Sequence, residues 1–403
     1  MGEIRRLLPP HEVRSDPQSA ERMRERGFDQ ALATIWAMNP ETVIEWVTAS
    51  GIKGRGGAAF PTGIKWTSVR QAPGEIKYVV MNADESELGT FKDRVLLEQD
   101  PLGALTGLLI AAYAVGARKA FCYIRGEYRE VEQALANALE TLRQGDWLRG
   151  VDVEIRRGAG AYIAGEETAL FNSIEGKRPE PRVKPPFPTV KGLWSSPTLI
   201  QNVETLANVA VLFAHDVSWF TQYGTPKTPG TKLVALSGHI RRAGVYEVPF
   251  GVPLADIVSD PDLGGQVAGS GRLGAVLLGG AAGTFLTPEE VMNHHLDYES
   301  LQALGASIGS GAMMFFDDTV DLGWVVARLA RFFAEESCGQ CVPCRIGTRR
   351  LLEIVEAKQW ESRVHDVRAL AQAMRDASIC GLGQTAPLAL LSFIERPQLR
   401  PHA

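Results

Sequence analysis

Apolar residues along the first half of the chain recur in two alternating patterns. Short apolar runs at 76–84, 119–126 and 151–157 are typical of β-strands, whereas residues 102–117 and 128–143 carry apolar positions at helical spacing. Strands that alternate with helices in this way form a parallel sheet with helices on its faces. The pattern therefore predicts an α/β unit built on a βαβαβ core.

The segments on either side of this core have patterns of their own. A polar segment and then a helix over 41–49 precede it, and a helix over 199–215 ends the first unit. From 231 to 285, short apolar runs are broken by glycines, which indicates a small α+β module. Helical patterns dominate after residue 320, at 320–336, 350–357, 364–374 and 387–394. We therefore expect three domains, at 1–230, 231–315 and 316–403.

The composition provides ample material for hydrophobic cores, since 45% of the 403 residues are hydrophobic. The formal net charge of -5 argues against a nucleic acid partner, which would require a broad positive field. Residues 1–18 carry charges and prolines where a signal peptide needs an apolar stretch. The apolar run at 102–117 contains glycines and falls short of the ~20 residues that span a bilayer. We expect a cytoplasmic protein with no direct membrane insertion, in which 102–117 is a buried helix.

The five cysteines are distributed unevenly, because Cys338, Cys341, Cys344 and Cys380 lie near the C-terminus while Cys122 stands alone. Three thiolates at C-x2-C-x2-C spacing with a distant fourth cysteine are typical of ligands to an iron–sulfur cluster. Zinc sites with four cysteines usually consist of two separated pairs, so structural zinc is the alternative. Cys122 lies in an apolar strand and is expected to be an inert core thiol.

A glycine-rich stretch at 51–66 is a second candidate site. Its segment from Gly54 to Ala59 matches G-x-G-x-x-A, but it follows a predicted helix, whereas the dinucleotide-binding fingerprint follows a strand. Glycines let the backbone approach a ring or a phosphate closely, and Arg55 and Lys65 would offer positive charge to a phosphate. A tight turn with solvated basic side chains is the alternative.

Acidic residues mark two further places. The segment NADESE at 82–87 stands where the first strand ends, and ligands of α/β sheets bind outside the carboxyl ends of strands. The alternative is a loop in which Asp84 or Ser86 caps a helix or turn. Glu166 and Glu167 stand at the expected start of a helix, where the dipole favours carboxylates. Adjacent helical residues diverge by about 100°, so these two do not form an acid/base pair.

Six segments together resemble signature blocks of the NADH-binding flavoprotein subunit of respiratory complex I, the 51 kDa subunit, and of its relatives in NAD-linked hydrogenases and formate dehydrogenases. They occur in the family's order, and the resemblance extends from about residue 40 to 395. The blocks are GRGGAAFPTGIKW (54–66), NADESELGTFKDR (82–94), GAGAYIAGEETAL (158–170), KPPFP (184–188), NVETLANV (202–209) and SCGQCVPCRIGT (337–348).

This resemblance implies a Rossmann-like FMN-binding domain, then a β-grasp module and then a C-terminal helical bundle that carries a [4Fe–4S] cluster. NADH would deliver a hydride to FMN, and single electrons would pass to the cluster, with Glu167 orienting the nicotinamide. The family's NADH contacts match Phe60, Glu87, Glu167, Lys184 and Phe187, whose two rings suit adenine stacking. Its FMN contacts match Gly54, Arg55, Gly56, Gly57, Lys65, Asn82, Asp84, Glu85, Tyr162, Gly165, Glu166, Glu167, Asn202 and Thr205.

The chain departs from the family pattern at several positions. Ser68 stands where a second aromatic residue would lie near the adenine, Gln201 replaces an asparagine, and Ala164 replaces a cysteine that many members carry. Around the last cysteine, ICGLGQTAP at 379–387 resembles the soluble hydrogenase and formate dehydrogenase relatives more than complex I. We expect neither a thioredoxin-like [2Fe–2S] domain nor ferredoxin-like cysteines in this chain.

Family members work inside larger complexes. The resemblance implies two partners, a small thioredoxin-like [2Fe–2S] subunit and a larger iron–sulfur subunit, and in complex I it implies a place in a peripheral arm at the cytoplasmic face of the membrane. The leading interpretation is a complex I subunit. A soluble NAD-dependent formate dehydrogenase or hydrogenase, in which electrons would flow towards NAD+, is the alternative. A zinc-stabilised interaction protein is the alternative from another functional class.

Overall fold

The computed structural model of the chain describes residues 3–269 and 271–400. Its first part alternates helices and parallel strands. The elements are α1 Ala20–Glu25, α2 Phe28–Ala37, α3 Pro40–Ala49, α4 Thr62–Gln71, β1 Tyr78–Ala83, α5 Lys92–Gln99, α6 Pro101–Val115, β2 Lys119–Ile124, α7 Arg129–Gln144, β3 Asp152–Arg157, α8 Glu167–Ile174, β4 Thr198–Asn202, α9 Val203–Ala214 and α10 Val217–Phe220.

The first sheet is parallel throughout, with strand order β3-β2-β1-β4, so the expected βαβαβ core is confirmed. The helix expected over 199–215 is wrong at its start, because Thr198–Asn202 is strand β4 and pairs with β1. Four of the five residues of β4 are buried, and a short buried apolar run does not distinguish strand from helix by periodicity. The consequence is that β1 and β4 both end at the same edge of the sheet.

Helix α6 is buried on almost every side, as expected for the apolar run there. It packs against α9 at close range, since a Cβ atom on Gly107 would lie 1.9 Å from the carbonyl oxygen of Leu206. Among the described residues, no single helix is long and apolar enough to span a membrane. Helices α5 and α6 pass that test only as a pair that is bent by 98°.

Two helices before residue 40 were not expected from the sequence. Helix α1 begins at the side-chain cap of Ser19, and α2 buries Phe28, Leu32 and Ile35 in the same core as α6. Their apolar stripes are interrupted by charged residues and are short. The segment interpreted as a polar lead-in is therefore part of the first core.

The second part of the chain forms a five-stranded mixed sheet. Its strand order is β10-β9-β11-β7-β8, with β11 parallel to β7 and the other pairs antiparallel. A two-stranded ribbon of β5 and β6 precedes it. The elements are β5 Gly224–Thr225, β6 Thr228–Pro229, β7 Thr231–Gly238, β8 Gly244–Pro249, α11 Leu254–Ser259, β9 Leu273–Leu278, β10 Thr284–Leu286, α12 Pro288–Asn293, α13 Tyr298–Gln302 and β11 Ala312–Asp317.

The last part is helical, as its pattern indicated. Helix α15 begins at Val342, eight residues before the helix expected at Arg350, because Cys341 takes the extended N-cap conformation and Pro343 occupies the first turn. The cysteine motif therefore enters a helix directly. The elements are α14 Leu322–Glu336, α15 Val342–Glu356, α16 Val364–Ala377, α17 Gly381–Thr385 and α18 Leu388–Glu395.

Buried charges connect the first and second parts. The Lys232 ammonium on β7 lies 2.6 Å from Glu204 Oε2 on α9, and Lys92 on α5 lies 2.9 Å from the same oxygen. All three side chains are at most 1% exposed. The expected boundary after residue 315 divides strand β11, which continues to Asp317, so a boundary after that residue fits the strand better.

Candidate functional site

The carboxyl ends of β1 and β4 form the floor of the candidate site. Asn82 and Asn202 stand opposite each other in the strand register. The Asn82 amide donates to the carbonyl oxygen of Gly165 at 2.9 Å, and the Asn202 side chain accepts from the Glu204 amide as the N-cap of α9. Because Asn202 also donates to Asp93 at 2.6 Å, the edge is tied to the start of α5.

The glycine-rich loop lies directly above this edge. The Gly54 amide donates to the Phe60 carbonyl oxygen at 2.8 Å, which closes the loop on itself. A Cβ atom on Gly56 would lie 3.1 Å from Asn202 Cβ, and Gly57 has a φ of +115°, which favours glycine. The loop therefore packs closely on Asn202 and has no room for larger residues at Gly56 and Gly57; this loop and the strand edge below it are called the cradle.

The side chain of Arg55 is buried against the second part of the chain. Its guanidinium is 4.4 Å from the centre of the Phe250 ring, and the residue is only 1% exposed. One guanidinium nitrogen reaches the Pro229 carbonyl oxygen at 3.4 Å, and the buried Glu204 carboxylate attracts the group towards the mixed sheet. Its Nε and Nη1 are buried without a hydrogen-bond partner among the described residues, and the interpretation of Arg55 as a charge for a phosphate stays a prediction.

Lys65 does lie at the site, within a network of ion pairs that also includes Glu167 and Lys184. Its ammonium is 3.4 Å from Glu167 Oε2, and the Lys184 ammonium lies 2.8 Å from Glu166 Oε1 and 2.9 Å from Glu167 Oε1. Burial raises the pKa of Glu167, but the two ammonium groups outweigh it and hold that pKa below its usual value. Glu166 also caps α8 by accepting from the Thr168 amide at 2.8 Å.

Asp84 is the candidate acidic group with a free polar atom. Its Oδ2 accepts from the Ser86 hydroxyl at 2.8 Å, while its Oδ1 is buried without a hydrogen-bond partner among the described residues. Burial raises the pKa of Asp84 to about 7. Asp84 lies beside Gly165, where a Cβ would be 3.2 Å from its Oδ2. An unpaired buried oxygen next to the cradle fits the presence of a bound polar ligand.

The other two acids of the same segment make protein contacts. Glu85 accepts from the amides of Asp93 at 2.8 Å and Arg94 at 2.9 Å, so it caps α5. Glu87 accepts from the Ala282 amide at 3.0 Å in the loop between β9 and β10. Burial raises the pKa of each of these carboxyls to about 7. A capping contact of the kind given as the alternative for this segment is thus present, but it is made by Glu85.

Two aromatic side chains that are close in sequence to Lys65 and Lys184 are exposed. Phe60, in the loop before Lys65, is 52% exposed, and Phe187, three residues after Lys184, is 57% exposed. Large exposed aromatic side chains offer flat apolar surface for stacking. Exposed rings that lie so close in sequence to Lys65 and Lys184 suit a ligand with a planar ring and negative charge.

The four clustered cysteines line one cavity. Cys344 and Cys380 are buried and the other two are partly exposed, while Cys380 comes from the segment that begins α17. Burial raises the pKa of Cys344 and of Cys380 to about 11. Among residues 3–269 and 271–400, no three cysteine, histidine or acidic side chains are close enough together to hold a single ion. Four thiols around a cavity fit a cluster of several iron atoms.

Cys122 is apart from this cavity. It is fully buried in β2, and burial alone raises the pKa of its thiol to about 12. Such a thiol is unreactive at neutral pH. The expected place of Cys122 in the core is confirmed, and its inertness stays a prediction.

One short segment contacts both the cradle and the cysteine cavity. In the 3-10 turn at 162–165, the Gly165 carbonyl oxygen receives the Asn82 amide, and Ile163 lines the cysteine cavity. The Tyr162 amide donates to Glu336 Oε2 at 3.0 Å, two residues before Cys338. Glu336, Lys92 and Asp93 were not recognised as site residues, because contacts between distant segments leave no signal in local pattern.

Models of two protein families match this chain. Residues 47–211 match the Nuo51 FMN-binding domain, and residues 324–398 match the iron–sulfur binding region of NADH-ubiquinone oxidoreductase F. The first match includes the cradle and the second includes all four clustered cysteines. The second match favours the iron–sulfur cluster over structural zinc.

Several curated proteins are similar over most of the chain. The F 2 subunit of the NADH-quinone oxidoreductase of Rhizobium meliloti is 43% identical, with 92% of this chain and 90% of that protein covered. NADP-reducing hydrogenase subunit HndC of Solidesulfovibrio fructosivorans is 39% identical, with 94% and 79% covered. The alpha subunit of the NAD-reducing hydrogenase HoxS of Cupriavidus necator is 40% identical, with 89% and 60% covered.

A solved structure agrees with the fold. The crystal structure of an NAD+-reducing [NiFe]-hydrogenase in the H2-reduced state superposes with a TM-score of 0.82 at 38% identity, covering 92% of this chain. This chain spans 65% of the length of that hydrogenase chain. The chain belongs to the family of FMN- and [4Fe–4S]-binding oxidoreductase subunits that includes the F subunits of NADH-quinone oxidoreductase and the NAD-reducing hydrogenase subunits.

Proposed function

We propose that this chain accepts a hydride from NADH at the cradle and delivers single electrons at the cysteine cavity, with the residues described above in specific roles. The observation that carries this proposal is the turn at 162–165, which contacts both places. When bound, FMN supplies the conversion of a two-electron hydride into one-electron steps. The protein's part is to bind, to orient and to exclude water.

The cradle would hold the flavin through backbone and amide groups. Gly54, Gly56 and Gly57 let the main chain approach a ring, Asn82 and Asn202 line the floor, and Asp84 Oδ1 is free to contact a polar group of the ligand. Arg55, Glu85 and Thr205 act indirectly in this proposal. They fix the loop and the start of α5.

The ion-pair network of Lys65, Glu167 and Lys184 would bind the nicotinamide nucleotide. Lys65 and Lys184 keep Glu167 ionised, so its carboxylate can accept a hydrogen bond from a carboxamide and orient the nicotinamide ring. Phe60 and Phe187 are exposed and suited to stacking on an adenine ring. Glu87 lies nearer the mixed sheet and would contact the nucleotide from that side.

The remaining architectural and cellular assignments are part of the same proposal. The mixed sheet would be a β-grasp module and the last helices a cluster-bearing bundle, with bounds at 1–230, 231–317 and 318–403. Partners would be a small thioredoxin-like [2Fe–2S] subunit and a larger iron–sulfur subunit. The location would be cytoplasmic, at the face of the membrane if the host is complex I.

The host complex has two candidates. Relatives named as NADH-quinone oxidoreductase subunits and relatives named as hydrogenase subunits are similarly identical to this chain, at 38–43% and 39–40%. Both hosts use the same cradle and cysteines, and they differ in the direction of electron flow. Mass spectrometry of a gentle native pull-down distinguishes them, since membrane-arm subunits indicate complex I and a nickel or molybdenum subunit indicates a soluble enzyme.

Replacement of single cysteines tests the electron path. Cys380→Ser should lower bound iron and sulfide and slow one-electron output from NADH to ferricyanide, with flavin retained. Cys122→Ser is the matched control and should keep the wild-type iron content, because that thiol lies in the core of the first sheet. A wild-type protein that binds about one zinc and no flavin would overturn the proposed function.

A further inference from the structure

Glu336 occupies the junction between the two candidate cofactor sites. It is the last residue of α14, and its Oε2 accepts a hydrogen bond from the Tyr162 amide at 3.0 Å. Tyr162 begins the 3-10 turn that reaches the cradle, and Cys338 follows Glu336 by two residues. One carboxylate therefore joins the helix that leads into the cysteine motif to the turn that borders the cradle.

The ring of Tyr162 strengthens the same junction. Its centre lies 5.2 Å from that of Phe332 and 6.4 Å from that of Phe333, both on the last turns of α14. Phe332 and Phe333 also contact each other edge to face at 5.3 Å. Aromatic contacts of this geometry resist sliding of one element along another. The backbone bond and the ring contacts together hold the turn against the helix at two places.

The surroundings of the junction belong to both sites. Burial raises the pKa of Tyr162, and the nearby charges of Glu87 and Cys380 add to this effect. Asp84 is close enough to the Glu336 carboxylate for electrostatic repulsion between the two groups to raise the pKa of Asp84. Further along the turn, Ile163 lines the cysteine cavity and the Gly165 carbonyl oxygen receives the Asn82 amide. A shift of this turn would therefore change the separation of cradle and cavity.

We propose that Glu336 is a positioning residue for electron transfer, which fixes the distance between flavin and cluster through its bond to the Tyr162 amide. The inference rests on the proposed function and deepens it. Electron tunnelling slows steeply as the gap between donor and acceptor widens. Hydride transfer depends instead on the fit of the nicotinamide over the cradle, on the side of Lys65 and Lys184.

The two stages have separate electron counts. With both cofactors bound, the hydride would bring two electrons and one proton to the flavin, and NAD+ would leave. The two electrons would pass one at a time to the oxidised cluster and from it to two ferricyanide ions, and the proton would be released to solvent as the flavin is oxidised again. Glu336 governs only the stage from flavin to cluster.

Rapid mixing of the full-length holoprotein with NADH separates these stages. Bleaching of flavin absorbance reports hydride transfer, and freeze-quenched electron paramagnetic resonance of the reduced cluster reports the following step. In Glu336→Ala the second step should slow by about tenfold or more, while the first changes little. Glu335→Ala is the matched control, because Glu335 is the exposed neighbour on the same helical turn.

Two further substitutions separate the hydrogen bond from charge and from folding. Glu336→Gln keeps an acceptor oxygen and should restore the wild-type rate of the second step, whereas a charge effect would leave it slow and overturn the proposal. Glu336→Asp shortens the side chain by one methylene with its charge intact, and it should slow the step even if the alanine variant loses iron. Amide hydrogen exchange at Tyr162 should quicken in both shortened variants.

The outcomes distinguish this inference from the function on which it rests. If wild-type protein lacks flavin or cluster, the proposed function fails. If wild-type protein transfers electrons and Glu336→Asp, with full flavin and iron content, does so at the same rate, the function stands and the positioning role is refuted.

Discussion

The backbone amide of Arg55 donates to the side-chain oxygen of Thr205 at 2.9 Å. Both residues are buried, at 1% and 0% exposure. The first stands in the glycine-rich loop and the second in the first turns of α9, so the bond anchors the loop to the helix that follows β4. Anchoring of this kind keeps the loop in one conformation before any ligand arrives.

Replacement of Thr205 by valine should weaken flavin binding. The isosteric change leaves the buried Arg55 amide without an acceptor, at a cost of about 1–3 kcal/mol. If half or more of this cost falls on the conformation of the loop, the flavin dissociation constant should rise by about twofold or more. Fluorescence titration of the apoprotein with FMN measures it. Thr205→Ser keeps the hydroxyl and should bind as wild type, and equal affinities in all three proteins would contradict the anchoring role.

Replacement of Lys184 by methionine should raise the KM for NADH with flavin retained. The ammonium makes hydrogen bonds to Glu166 and Glu167, and hydrogen bonds to charged groups contribute about 1.5–3 kcal/mol, which corresponds to about tenfold or more. Steady-state kinetics with ferricyanide measure the change. The exposed Lys191 in the same loop provides the control, since Lys191→Met should leave KM unchanged.

The Lys184→Met variant should also change the pH dependence of kcat/KM for NADH. Lys65 and Lys184 lower the pKa of Glu167 against the opposing effect of burial, so loss of one ammonium raises that pKa. The carboxylate then becomes protonated at a higher pH, and the acidic limb of kcat/KM should move upward. An acidic limb at the same pH in both proteins would exclude Glu167 as the group that titrates.

Replacement of Ser337 by alanine should make the cluster potential more negative. The Ser337 hydroxyl lies 3.3 Å from Cys344 Sγ, and only the hydroxyl can donate once the sulfur is a metal-bound thiolate. Hydrogen bonds to the sulfurs stabilise the more negative, reduced cluster and so raise its potential. A redox titration followed by electron paramagnetic resonance measures the shift. Ser337→Thr retains the hydroxyl and should titrate close to wild type.

Glu247 should make stability depend on pH. It is buried between Thr231 and the amides of Arg6, Leu7 and Leu8, and burial raises its pKa to about 7. Because the folded pKa is raised, this contribution to stability is complete below the unfolded pKa of 4.5 and is lost as the pH rises through 7. Relative to Glu247→Gln, the wild-type free energy of unfolding should fall by on the order of 1–3 kcal/mol across this range.

Urea titrations of both apoproteins at several pH values check this prediction. In Glu247→Gln, the side-chain NH2 group can still form a hydrogen bond with the Thr231 hydroxyl. The side-chain oxygen can still accept from the amides of Arg6, Leu7 and Leu8. Parallel pH curves for the two proteins would mean that Glu247 keeps an ordinary pKa in the folded state.

The sequence was sufficient for the features that depend on local pattern. The runs that became β1, β2 and β3 are short, apolar and separated by helical spacing, and they predicted the parallel sheet. The spacing of Cys338, Cys341 and Cys344 indicated the metal site because ligation imposes that spacing. Several residues from the resemblance contact one another, such as Asn82 with Gly165 and Lys184 with Glu166 and Glu167, and all their contacts with cofactors stay predictions.

Features that depend on long-range contacts could not be predicted. Strand β4 was interpreted as helix because TLIQN is apolar without clear alternation, and only its pairing with β1 makes it a strand. The contact of Arg55 with the Phe250 ring could not be predicted either, because the two residues are almost 200 positions apart in the sequence. The hydrogen bond between Glu336 and the Tyr162 amide could not be predicted for the same reason, because it joins two segments that are distant in sequence.

The ion pair of Lys232 with Glu204 bears on how this protein can be divided. Glu204 is completely buried and receives the Lys232 ammonium and the Leu233 amide from β7. A fragment that ends at residue 230 would lack both donors and leave the buried carboxylate with only Lys92 and Arg55 as nearby cations. Fragments for expression should therefore include the mixed sheet, because helix α9, which anchors the glycine-rich loop, needs β7 to compensate the buried charge of Glu204.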